Sequence, residues 1–125
     1  MTGETARPPV IVTFPEEIDL TNSATIAAGV FDALGSHGLV IVDMSGTMFC
    51  DSSGMRMLLI ARNHASFNGS GLRIVITPGS PVARSLAILG MDSMLPVYGS
   101  LGDALSPEPG YGSADSTRRG WPPST

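Results

Sequence analysis

The chain of 125 residues has the length of one domain, and its 42% hydrophobic residues suffice for a compact core. A formal net charge of −4 without any lysine argues against a nucleic-acid surface and excludes a Schiff-base lysine or a P-loop. One cysteine allows no internal disulfide, the isolated His37 and His64 make no zinc site, and neither a signal peptide nor a membrane-spanning run is expected, which suits the cytoplasm.

Residues 1–9 are polar, end in Pro8-Pro9, and are expected to be flexible or extended. Val10-Ile11-Val12-Thr13-Phe14 reads as a first strand, stopped by Pro15. Glu16 to Ser23 reads as a polar connection, with Asn22 or Ser23 as N-cap of a helix. Ile26, Val30, Phe31 and Leu34 share one face of that helix, and Gly35 stops it. Leu39-Val40-Ile41-Val42, running to Asp43, is a buried strand. A second helix runs from Ser52 or Ser53 to Ser66 or Phe67. Leu72 to Ile76 forms the next strand. Ser80 and Pro81 suit an N-cap and first helical position, with Val82, Leu86 and Leu89 facing inward and Gly90 closing the helix. Leu95 to Tyr98 is a short strand, and Ser100 to Leu105 a short helix. From Ser106 the chain is rich in Pro, Gly, Ser and Thr, with Trp121 inside it, and is expected to be disordered.

Strands and helices alternate, so a mostly parallel sheet of four or five strands packed against about four helices is expected. The loops after the strands, at residues 16–21, 51–54 and 77–81, should gather at one sheet edge, where sites usually lie.

The stretch Phe49-Cys50-Asp51-Ser52-Ser53-Gly54-Met55 joins a strand to a helix. Asp and Ser accept hydrogen bonds from the free N–H groups of a helix start, and the same place favours an anion such as a phosphoryl group. From this stretch alone a plain N-cap is the simpler reading, because capping is common and needs only one such residue. Asp51 could cap the helix or orient a serine. Gly54 could let a partner's backbone approach. Met55, Met57 and Leu58 cannot share one helix face, so Met55 is a candidate surface contact, with core filling as the alternative. Cys50 is most simply a small buried residue.

Glu17-Ile18-Asp19 after a first strand, together with Asp51-Ser52-Ser53-Gly54 between a strand and a helix, resembles the STAS domain family, in particular the small stand-alone anti-sigma factor antagonists of bacteria. The resemblance covers about Val10 to Leu105. It implies a STAS-like α/β fold, no enzymatic activity and no cofactor. It further implies that Ser52 is the phosphoacceptor of an anti-sigma factor serine kinase, which the unphosphorylated form binds, freeing a sigma factor. A serine phosphatase would reverse the modification. Glu17, Asp19, Asp51, Ser53, Gly54 and Met55 would contact the partner. No direct binding to nucleic acid or membrane is implied. The family's glycine before Glu-Leu-Asp is Glu16 here, its leucine after Ser-Gly is Met55, and its first edge strand would fall in residues 1–8. Two other functions compete. One is a STAS-type ligand or nucleotide sensor within a larger assembly. The other is a serine hydrolase using Ser52 or Ser53, for which the Gly-x-Ser-x-Gly elbow is missing.

Overall fold

The computed structural model describes residues 8–36 and 38–106. The expected flexible N-terminus to Arg7, the family's first edge strand, His37 and the tail beyond Ser106 lie outside them. The β-branched runs form a four-stranded sheet in the order β1 (Val10–Thr13), β3 (Leu39–Asp43), β5 (Gly71–Val75) and β6 (Val97–Tyr98), each pair parallel. Between β1 and β3 come a two-residue strand, β2 (Glu17–Ile18), and helix α1 (Ser23–Ser36). Strand β4 (Phe49–Cys50) precedes α2 (Ser52–Phe67), α3 (Pro81–Leu89) follows β5, and α4 (Leu101–Ala104) follows β6.

Strand β3 is paired on both edges, by β1 and β5, and helices pack on both faces of the sheet, so Val40, Ile41 and Val42 have no exposed surface. Val40 and Val42 face the main core, with Val30 and Leu34 from α1, Leu58 and Ala61 from α2, and Val82 and Leu86 from α3. Ile41 faces the other way, with Val75, Tyr98 and Ala104 of α4. Arg73 fastens α4 to β5: its Nη1 donates to Ala104 O at 2.8 Å and Ser106 O at 2.7 Å, and its guanidinium lies 5.5 Å from the centroid of the Tyr98 ring. Pro96 ends the inner pairing without leaving it, because its carbonyl still accepts from Ile74 N at 2.9 Å.

Three expectations are corrected. The polar connection before α1 contains β2, which pairs in parallel with β4 as a separate ladder, Glu17 opposite Phe49 and Ile18 opposite Cys50. Leu89 is 58% exposed and does not continue the inward face of α3. The helix ends there through Gly90, whose φ of 73° is left-handed, and Met91 of the following turn is buried instead. Met55, Met57 and Leu58 are all buried, although they span more than one face. Helix α2 is covered on two flanks, by the sheet and by α1.

Candidate functional site

The β2–β4 ladder brings the two sequence motifs together. Met48 N donates to Glu16 O at 2.8 Å, and Asp51 N donates to Ile18 O at 3.0 Å. Along the ladder, period-two alternation turns Ile18 and Cys50 inward and leaves Glu17 and Phe49 exposed. Thr47 secures the adjoining loop, its buried hydroxyl donating to Pro15 O at 2.8 Å. The Thr77 hydroxyl, in the third loop of this edge, donates to Ser45 O at 3.3 Å.

Asp51 is the N-cap of α2. Its Oδ1 accepts from Ser53 N at 2.9 Å, from Gly54 N at 3.2 Å and from the Ser53 hydroxyl at 2.5 Å. The Ser53 hydroxyl is the main reason that the Asp51 carboxyl lies below its ordinary pKa; burial opposes it, and the N–H groups of Gly54, Ser53 and Leu20 reinforce it. Asp51 also ties the two loops together through its backbone N–H, which donates to Ile18 O. Asp51 thus caps the helix, and the serine hydroxyl it accepts from is that of Ser53.

Ser52, the first residue of α2, is exposed, and among the described residues its hydroxyl makes no hydrogen bond. Ser53 is partly buried and faces a shallow, mainly apolar groove of about 210 Å³ between α1 and α2, bordered by Arg56 and Ile60. Asp19 is half-buried and organises its own loop. Its Oδ1 accepts from Thr21 N at 2.9 Å and Thr21 Oγ1 at 2.5 Å, and its carbonyl accepts from Ser23 N at 2.9 Å. Asn22 completes the turn by donating from Nδ2 to Glu17 O at 2.8 Å.

Gly54 and Met55 do not offer the surface expected of partner contacts. Met55 is 3% exposed and belongs to the core. A Cβ on Gly54 would stand 2.6 Å from Cys50 Sγ and 2.7 Å from Ile18 Cγ2. The close approach of α2 to the ladder therefore requires glycine here. Cys50 is buried, and its thiol pKa is pushed up to about 12, first by burial and then by the charge of Asp51, so the thiolate is disfavoured.

Surface groups missed in the sequence are Leu20, Met48 and Phe49, at 79%, 51% and 52% exposure. They belong to the same pair of loops and give the edge around Ser52 an apolar character. Only the unexpected ladder could have revealed that Phe49 points outward. His64 lies three turns along α2, about 18 Å from Ser52 by helical rise, where it meets Phe31 edge-on at 5.0 Å and the Asn68 side chain at 3.0 Å. It cannot serve Ser52 as a base. The described residues contain no cluster of three His, Cys, Asp or Glu that could hold a metal, and no helix long and apolar enough to cross a membrane.

The family model for the STAS domain matches residues 2–104. The crystal structure of a candidate anti-sigma factor antagonist of Thermotoga maritima, TM1081, superposes with a TM-score of 0.69 at 20% identity, covering 82% of this chain and 88% of that one. The solution structure of TM1081 gives a TM-score of 0.67 at 19% identity, with 82% of each chain covered. Among curated proteins no match was found. At such identities the structural likeness concerns the fold, whereas the family match spans both motifs. With Glu17-Ile18-Asp19 and Asp51-Ser52-Ser53-Gly54 brought to one sheet edge, and with the family model matched across both, the chain belongs to the STAS domain family.

Proposed function

We propose that this protein is an anti-sigma factor antagonist that acts by binding, not by catalysis, with Ser52 as its phosphoacceptor. The observation that carries this reading is the contrast between two neighbouring hydroxyls: Ser52 is exposed and unbonded among the described residues, while Ser53 is held by Asp51. The unphosphorylated form would bind an anti-sigma factor serine kinase in the cytoplasm and free its sigma factor. The kinase would then transfer phosphate from ATP. The Ser52 Oγ–phosphorus bond forms as the bond from the γ-phosphorus to the β–γ bridging oxygen breaks. ADP leaves, and the hydroxyl proton passes to a base of the kinase. A serine phosphatase would restore the hydroxyl. The TM1081 crystal structure, described as that of a candidate antagonist, supports this reading through its fold.

A phosphoserine adds about −1.5 to −2 charge at pH 7. The helix N-terminus accommodates that charge, so the domain should remain folded. At an interface lined by Glu17, Asp19 and Asp51, the dianion resists desolvation and repels acidic partner groups. A loss of about 2.7 kcal/mol weakens binding roughly a hundredfold, enough to release a partner.

The test is incubation with candidate anti-sigma factor kinases and ATP, followed by mass-spectrometric mapping and binding calorimetry. Phosphate should appear on Ser52. Ser52→Ala should bind and resist modification, Ser53→Ala should still be modified, and Ser52→Asp should bind poorly though folded. Ser52→Asp binding as tightly as the parent would refute the switch.

A further inference from the structure

The Asp-Ser-Ser run presents two adjacent hydroxyls, and the polypeptide itself does not say how one is chosen. We propose that Asp51 makes the choice: it occupies the Ser53 hydroxyl and leaves Ser52 as the only available nucleophile. The inference rests on the reading of this site as a phosphoacceptor and adds the residue that confines phosphate to one of two positions.

Asp51 cannot swing away from Ser53 freely. The Oδ1 that receives the Ser53 hydroxyl also receives Ser53 N at 2.9 Å and Gly54 N at 3.2 Å. These N–H groups fix the carboxylate in place. Transfer to Ser53 would form the Oγ–phosphorus bond while ADP departs and the hydroxyl proton leaves for a base. It would first have to break the bond to Asp51. The product would then hold a phosphate dianion against a carboxylate, a like-charge contact. The carboxylate does not double as an activating base, because the same hydrogen bonds favour its ionised form and keep the proton on Ser53. Ser52 faces none of these restraints: it is exposed and its hydroxyl is unbonded among the described residues. Asp51 is thus a positioning residue that acts through Ser53.

Cysteine substitution tests this without any kinase. Ser52→Cys and Ser53→Cys, each with and without Asp51→Asn, are alkylated with iodoacetamide in the full chain. Cys50 is buried and provides the slow internal reference. Asparagine keeps the Oδ1 acceptor for the helix N–H groups and for position 53 but removes the carboxylate charge that disfavours a thiolate or a phosphate there, and thermal melts verify folding. Ser52→Cys should react about tenfold faster than Ser53→Cys at pH 8, because thiolate character and access govern the rate. Asp51→Asn should shrink that ratio to roughly threefold or less. Equal rates with Asp51 in place, or a ratio that Asp51→Asn leaves unchanged, would overturn the proposal.

In a second arm, a kinase that phosphorylates the parent on Ser52 should also place phosphate on Ser53 of the Asp51→Asn protein. Phosphate confined to Ser52 in that variant counts against selection by Asp51. A parent that no anti-sigma factor kinase modifies counts against the phosphoacceptor reading, while the alkylation ratios still decide whether Asp51 discriminates between the two positions.

Discussion

Replacing Gly54 by alanine adds one carbon where α2 meets the β2–β4 ladder. That carbon would stand 2.6 Å from Cys50 Sγ and 2.7 Å from Ile18 Cγ2. Carbon contacts are best at about 3.5–4.0 Å, so both neighbours must retreat by about an ångström. Neither moves cheaply. Ile18 has no exposed surface and Cys50 only 7%, and the two are paired residues of the ladder. Adding a methyl group to such a site costs about 1–3 kcal/mol. The preference of helices for alanine over glycine offsets about 0.5–1 kcal/mol of it. The expected net loss is about 1 kcal/mol, which corresponds to a fall in Tm of roughly 4–8 °C. Differential scanning calorimetry measures this directly. Cys50→Ala removes the nearer contact, so the double variant should lose less than the sum of the single ones, with a coupling of about 0.5 kcal/mol or more. Displacing the ladder should also slow phosphorylation of Ser52. A Gly54→Ala protein as stable as the parent, or strictly additive losses, would refute the packing role of Gly54.

Cys50 should resist iodoacetamide at pH 8 in the folded protein and react on unfolding in urea, as followed by mass spectrometry. Its thiol ionises at about 12 when folded and at 9.0 by reference, so its contribution is complete below pH 9 and is lost as pH rises from there toward 12. Asp51 acts at the other end of the scale. Its folded pKa lies below the reference of 3.8, so the stability it provides is present above that value and is lost as pH falls through the folded pKa. In acid titrations followed by circular dichroism, Asp51→Asn should flatten this limb. Asp19→Ala removes the acceptor of Thr21 N and Oγ1 in a partly exposed loop. It should weaken partner binding in calorimetry while changing stability by less than about 1 kcal/mol. Unchanged binding would reduce Asp19 to a local turn.

Local chemistry made much of this architecture legible in the sequence. Val10–Thr13 and Leu39–Asp43 announce strands through β-branched side chains, and Ser80-Pro81 and Gly90 mark the limits of α3 by capping. Asp51-Ser52-Ser53 likewise marks the start of α2, because a cap needs only neighbours within three residues. The ladder of β2 and β4 could not be read in this way. Two residues are too short for any periodicity, and Glu17 meets Phe49 across 32 positions of sequence. The fates of Gly54, Met55 and Met57 were equally nonlocal. Helical periodicity assigns side chains to faces, but it does not say how many faces are covered, and here the sheet and α1 cover two. The difference between Ser52 and Ser53 was also left to the folded chain. Two identical hydroxyls became inequivalent only when the helix turned one toward Asp51 and the other toward solvent.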